Sequence, residues 1–360
     1  MLDMDIHQAI LRTLDQSTTS NEARLKVLAC LIIGVIRTRS VNLSKLASYQ
    51  NSNASEDSQY RKLQRFFSLW IFPWRDVAKI ILSKIPKPKN GYILSMDRTN
   101  WKFGKTHINI LTVGVVVGKV AIPITWITLP PRTKRGNSHS KHRILIMKKV
   151  LQIIDIEDID FLAMDREFNG IEWLKWLEII DLTWVFRIKR NTKVNGKHAY
   201  LHGLSKKLNV SNKQSIWGMK LYFGSKKIEG GRTSDLYVVS NKILPREALQ
   251  AYQTRWAIEV LFGHLKKKGF DLESTHLRDR RKIDKLLAVV SLAFLFTLGW
   301  GVILKEQQGQ LTARQKRKSI FRLALDILIE MFNNPSRNKQ KINMFHEWIT
   351  SNREPLIFVV

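Results

Sequence analysis

The chain has 360 residues, 44% of them hydrophobic, and its 60 Lys+Arg against 30 Asp+Glu give a formal net charge of +30. That length and apolar content allow two or three domains with a sizeable core and exclude a disordered chain. The cation excess favours a polyanion as partner, nucleic acid first and an anionic membrane surface second, while a single cysteine, Cys30, excludes a disulfide framework and a Cys-rich zinc site and fits a reducing cytosol.

The N-terminus, Met-Leu-Asp-Met-Asp, lacks the basic and apolar regions of a signal peptide. Residues 1–90 read as helical. The run 22–36 is apolar almost all round and predicts a central helix, and 40–47 predicts a short one. Ser55-Glu56-Asp57 caps a third, with acids in its first turn to suit the macrodipole. That helix exposes Arg61, Lys62 and Arg65 and buries Leu63, Phe66, Phe67 and Trp70. Short helix, polar linker and basic helix form the pattern of a helix-turn-helix, and equally of a helical cap with surface cations. Lys84, Pro86, Lys87, Pro88 and Lys89 make a proline-spaced boundary.

Strands follow. Residues 92–97 predict a short strand ending in Asp97, 100–105 a turn, and 106–117 and 120–129 a hairpin about Gly118-Lys119. A basic loop at 130–140 holds Arg132, Lys134, Arg135 and Asn137; then come a helix (141–154), a strand (159–164) closed by Asp165, a helix (168–180) and a strand (183–188). The alternation implies a mixed sheet with helices on its faces. Asp97 and Asp165 are each an ordinary turn or cap aspartate when taken alone. If their strands lie side by side and parallel, both carboxylates leave one sheet edge and suit Mg²⁺. Residues 191–233 carry Lys193, Lys197, Lys206, Lys207, Lys213, Lys220, Lys226, Lys227 and Arg232 against Glu229 alone, with strand-like runs such as 216–223. They suggest a small basic β insertion able to hold a phosphate backbone.

After a strand at 235–240, Pro245 opens a helix that Gly269 ends. At about 100° per residue, Tyr252, Arg255, Glu259, Gly263 and Lys266 share one narrow stripe, and Ala257, Ile258, Leu261, Phe262 and Leu265 face the other way. The stripe suits a salt-bridged exposed face as well as a phosphate-and-metal surface, with Gly263 a gap for close approach. Residues 286–304 are uncharged for the length of a membrane span; Ser291, Thr297 and Gly299-Trp300-Gly301 interrupt the run and favour a buried helix. Residues 305–341 read as helical and basic.

The spacing Tyr252-x2-Arg255-x3-Glu259-x6-Lys266, with Asp97-Arg98-Thr99-Asn100-Trp101-Lys102-Phe103-Gly104 and Asp165-Arg166-Glu167-Phe168 before it, resembles the IS4-family DDE transposases of bacterial insertion sequences over residues 40–300. The resemblance implies an α/β protein: an RNase H-like mixed sheet with flanking helices, a basic β insertion and an N-terminal helical DNA-binding domain. The expected division is 1–90 (helix-turn-helix-like), 91–190 (first part of the core), 191–234 (insertion), 235–304 (second part of the core) and 305–360 (basic helical tail). It also implies two Mg²⁺ ions held by Asp97, Asp165 and Glu259, with Mn²⁺ able to substitute.

By the same resemblance Tyr252, Arg255 and Lys266 contact DNA near the scissile phosphate, and the helix-turn-helix pattern assigns DNA contacts to Arg61, Lys62 and Arg65. Glu167 is read as a partner of a helix dipole, not a ligand, and Trp217 or Tyr237 as candidates to receive an unpaired base. The expected partners are double-stranded DNA (terminal inverted repeats and target) and a second copy in a synaptic homodimer, with no membrane and a cytoplasmic location at the bacterial nucleoid. The implied reaction is cutting of the element's ends and joining of their 3′-OH groups to target DNA, by cut-and-paste. The alternative is an inactive or domesticated DNA-binding derivative.

Overall fold

The computed structural model describes residues 2–18, 20–49, 54–71, 73–130, 138–202, 212–227, 235–306 and 312–350. The cations of the loop after Pro130, and Lys206, Lys207 and Arg232 of the insertion, lie outside these residues. Five helices come first: α1 (Leu2–Ser17), α2 (Glu22–Thr38), α3 (Leu43–Ser48), α4 (Glu56–Leu69) and α5 (Trp74–Ser83). Ser55 caps α4 as expected, its Oγ accepting from the Ser58 amide at 3.3 Å. Next come β1 (Tyr92–Phe103), β2 (Thr106–Val117), β3 (Val120–Thr128), α6 (Ser140–Val150), β4 (Ile159–Met164), α7 (Ile171–Ile179) and β5 (Trp184–Arg187). The insertion supplies β6 (Lys193–Val194), β7 (Lys197–His198), β8 (Gln214–Ile216) and β9 (Met219–Lys226). The chain continues with β10 (Leu236–Ser240), α8 (Pro245–Gln253), α9 (Trp256–Leu265), α10 (Arg280–Glu306), α11 (Ala313–Lys316), α12 (Ile320–Asn333) and α13 (Lys339–Thr350).

Contacts divide the chain into two compact units. One comprises Met1–Pro86, Trp101–Ile108 and Leu261–Val360, the other Lys87–Asn100 and Asn109–Val260. Residues 261–304, grouped with the core on sequence, thus fall with the terminal helices.

The sheet runs in the order β3-β2-β1-β4-β5-β10-β9-β8. Strands β1, β4 and β5 are parallel, β2 and β3 form an antiparallel hairpin, and β10 and β9 add antiparallel strands at the far side. The first five in this order fit an RNase H-like core, with helices flanking the sheet. The insertion is a separate ribbon only at β6–β7; β8 and β9 extend the main sheet, because β10 would otherwise leave a ladder of backbone groups unpaired. Both insertion hairpins turn through positive φ, at Asn195-Gly196 (47° and 79°) and Trp217-Gly218 (52° and 77°). Tight antiparallel turns require that conformation, and glycine supplies half of it at no steric cost.

Two predicted elements end differently. Strand β1 does not stop at Asp97 but runs to Phe103. Residues 99–102 alternate buried and exposed (Thr99 in, Asn100 out, Trp101 in, Lys102 out), so a half-buried strand carries polar residues that resemble a turn by composition. The predicted helix over 252–266 is broken into α8 and α9. At the break, the amides of Thr254 and Arg255 bond back to the carbonyls of Ala251 and Tyr252, both at 3.1 Å, and Thr254 Oγ1 donates to the Ala251 carbonyl at 2.7 Å. This is one 3-10 turn tightened by a hydroxyl that competes for the helix's own acceptor.

In the sheet-bearing unit, α8 covers one face. Ala248, Leu249 and Tyr252 pack there on Phe161, Ala163, Val185, Leu236 and Val238, with Ile93 alongside. Each large apolar side chain so buried stabilises by about 1.5–3 kcal/mol.

In the other unit, α10 carries the uncharged run and is the one helix among the described residues long and apolar enough to cross a membrane; 94% of that stretch is buried inside the protein. Its Gly301 is a contact point, since a Cβ there would lie 2.5 Å from the Ile320 carbonyl oxygen and 2.6 Å from Ile320 Cγ2. At an open helix position Gly→Ala would stabilise by about 1 kcal/mol. At this close approach Gly301→Ala is instead expected to destabilise by about 1–3 kcal/mol. Thermal unfolding checks the sign, and a raised Tm would contradict the packing described.

Candidate active site

Parallel pairing of β1 with β4 aligns Ser95 with Ala163 and Met96 with Met164. The next residues of the two strands are Asp97 and Asp165, so the register sets them side by side. Side chains alternate along a strand. Asp97 therefore projects from the same face as Ile93 and Ser95, and Asp165 follows Phe161 and Ala163, the face that α8 covers. A slip of either strand by one residue would turn its carboxylate to the opposite face and separate the pair.

Helices α8 and α9 bring three further residues to this face. The Tyr252 hydroxyl donates to Asp165 Oδ1 at 3.2 Å. Arg255 Nη2 pairs with Glu259 Oε1 at 2.6 Å, and its Nη1 lies 3.6 Å from Asp97 Oδ2. The break between the helices is tied down from below, where Ser95 Oγ donates to the Arg255 carbonyl at 3.4 Å. Asp97, Asp165, Tyr252, Arg255 and Glu259, chosen on sequence alone, thus meet at one site.

Electrostatics there are tense. Burial pushes the Asp97 carboxyl up to about 7, against the amide of Arg98 (2.7 Å to Oδ1) and the Arg255 charge, which favour its ionised form. Burial likewise raises Tyr252 to about 12, so its phenol stays a proton donor through the physiological range. Arg255 is itself only 9% exposed and its Nε has no partner in the described structure.

Glu167 does something other than match a helix dipole. Its two carboxylate oxygens accept from Arg98 Nε and Nη2, each at 3.1 Å, and Arg98 Nη1 donates to Asn109 Oδ1 at 2.8 Å. Arg143, on α6, is 4% exposed. It donates to the carbonyls of Ser138, Glu167 and Asn169 and to Ser138 Oγ. Nothing in the local pattern marks it; only its place on the inner side of α6 does.

The other predicted residues have surroundings of their own. Lys266 pairs with Glu273 at 2.9 Å in the helical unit. Arg61, Lys62 and Arg65 are exposed on α4, whose inner side carries Leu63, Phe66 and Phe67. The gap expected at Gly263 is covered by the Lys268 stem, whose Cδ would sit 3.4 Å from an added Cβ. Trp217 stacks on Phe186 (centroids 5.8 Å apart), and Tyr237 is buried, stacked on Phe223 and bonded to Asp235, so neither ring is free as expected. Trp256 is the exposed ring instead, 61% open, next in sequence to Arg255. An exposed indole offers a stacking face.

Among the described residues, no three His, Cys, Asp or Glu side chains are grouped closely enough to hold a metal ion. The donors nevertheless fit a divalent cation in kind. They are hard carboxylate oxygens, and Asp97 is a buried acid whose ionisation would be favoured by added positive charge.

The transposase DDE domain family matches residues 88–296, more than half of the chain and the whole of this site. The chain belongs to the DDE transposase family. No curated protein matches it. A transposase acts on DNA, the polyanion that the net charge of +30 calls for.

The Asp97 shift makes a pH prediction for this transposase. With a folded value of about 7 against an ordinary 3.8, the folded state holds the proton more tightly. Asp97 therefore favours folding at the acid end and loses that contribution as pH rises from about 4 through about 7. The loss is on the order of 2–4 kcal/mol. In chelator, Asp97→Asn should gain Tm relative to wild type by several degrees between pH 5 and 8. A variant whose Tm tracks wild type at every pH would contradict the shift.

Proposed function

We propose that this transposase is of the IS4 type: it cuts the ends of an insertion sequence and joins the freed 3′-OH ends to target DNA by cut-and-paste. It would act as a homodimer on paired inverted repeats, at the bacterial nucleoid. The observation that carries the proposal is the β1–β4 register, which sets two acids side by side where α8 and α9 deliver Glu259 and Arg255. On this proposal Asp97, Asp165 and Glu259 would hold two Mg²⁺ ions, or Mn²⁺ in their place. The chemistry the ions would supply there is activation of a water or 3′-OH and neutralisation of charge on the leaving 3′-oxygen.

The chain's own residues do the positioning. Arg255 offers a planar fork to phosphate oxygens and Lys266 a point charge. In turning to phosphate, each exchanges a carboxylate partner (Glu259 or Glu273) for another anion. Tyr252 keeps its proton, so a phosphate reaching Asp165 meets a hydrogen-bond donor and not a second anion. Arg61, Lys62 and Arg65 on α4, in a helical domain of residues 1–90, would grip DNA.

Asp97→Asn and Glu259→Gln should each abolish Mg²⁺-dependent cutting of labelled element ends while retaining end binding in a gel-shift assay. Cutting by both purified variants would overturn the assignment. Lys266→Ala should weaken DNA binding uniformly across sequences and lower the slope of log K against log[salt] by about 1. An unchanged slope would exclude a phosphate contact at Lys266.

A further inference from the structure

We propose that Arg143, Glu167 and Arg98 form a brace that fixes the spacing of the Asp97 and Asp165 carboxylates, with Glu167 a positioning residue and not a metal ligand. The inference rests on the proposal that those two aspartates share a divalent cation. Asp165 is followed at once by a tight turn, in which the Phe168 amide bonds to the Asp165 carbonyl at 3.0 Å. Such a turn leaves carbonyls pointing inward, and a buried carbonyl without a donor is costly. Arg143, from α6, fills the space behind it. Its guanidinium gives Nη1 to the Asn169 carbonyl at 2.7 Å and Nη2 to the Glu167 carbonyl at 2.9 Å, lies 5.2 Å from the Phe168 ring centre, and takes Ser138 on its remaining side. Gly170 ends the turn where an added Cβ would meet Arg143 Nη1 at 3.4 Å. The segment after Asp165 is thus clamped from behind.

The clamp continues across the sheet edge to Asp97. The Glu167 backbone belongs to the clamped turn, while its carboxylate takes the Arg98 fork with both oxygens. Arg98 in turn donates its amide to Asp97 Oδ1. A two-pronged pair resists rotation in a way that one hydrogen bond does not. The side chains involved are 11% (Arg98) and 21% (Glu167) exposed, so water competes weakly for them. Because both Glu167 oxygens are engaged by Arg98, the residue is committed to the neighbour of one aspartate while covalently tied to the turn that follows the other. Two carboxylates on separate strands repel when ionised; the brace holds them together against that repulsion.

Bracing and ligation give opposite results when Arg98 is removed. Full-length protein would be titrated with Mn²⁺, free ion being read by electron paramagnetic resonance, for wild type, Asp165→Asn, Arg98→Ala, Glu167→Gln and the Arg98→Ala/Glu167→Gln double variant, with thermal unfolding of each. Asp165→Asn should lose the site. Arg98→Ala and Glu167→Gln should each weaken Mn²⁺ binding about tenfold, and the double variant should be no weaker than the weaker single, since one interaction is removed twice. Arg143→Gln should weaken binding in the same direction; if it does not fold, the Arg98–Glu167 cycle decides alone. Unchanged or tighter binding in Arg98→Ala, or losses that add in the double variant, would overturn the brace while leaving the metal site standing. Absence of any Asp165-dependent Mn²⁺ site in wild type would overturn the metal proposal and the brace with it.

Discussion

Everything at this site depends on the pairing of two parallel strands in one register. Hydrogen bonding of β1 to β4 aligns Met96 with Met164, and the two-residue period of a strand then fixes which face Asp97 and Asp165 share. The same period puts Ile93, Phe161 and Ala163 beneath α8. The apolar packing that stabilises the layer and the chemistry at its edge are therefore set by one alignment. Neither acid can change face without exposing that core.

Positive charge acts at two levels. Over the whole chain, the net charge of +30 creates a field that draws a polyanion without specifying a sequence. Inside the site a single guanidinium, Arg255, lies between Glu259 and Asp97 and favours the ionised form of Asp97 against its burial. One buried cation does not bring Asp97 back to an ordinary value. Asp97 therefore still gains from any further positive charge brought beside it.

Much of this was legible in the sequence, for physical reasons. Strand β4 was bounded by Asp165 because a short apolar run ends sharply there, and the cap of α4 by Ser55 followed from its place before two acids. The residues at 252, 255 and 259 share a stripe by their spacing, and the family resemblance gives them their roles. What escaped depends on partners distant in sequence. Residues 98–103 look like a turn until a neighbouring strand and a buried side are supplied. The break at Thr254 is a competition between a hydroxyl and an amide for one carbonyl, which a helical wheel cannot register. Glu167 reads as a match for its own helix start because its partner, Arg98, stands 69 positions away. Arg143 satisfies carbonyls of a turn that the sequence does not reveal.

As proposed here, Asp97 and Asp165, with Glu259, share the divalent cations at the edge of the parallel strands. Anomalous diffraction from crystals of the protein with element-end DNA, soaked in Mn²⁺, addresses it directly. A peak at about 2.0–2.2 Å from oxygens of both Asp97 and Asp165, with Arg255 turned from Glu259 to phosphate, is the predicted result. Mn²⁺ bound elsewhere on the protein, in crystals whose DNA has been cut, would contradict it.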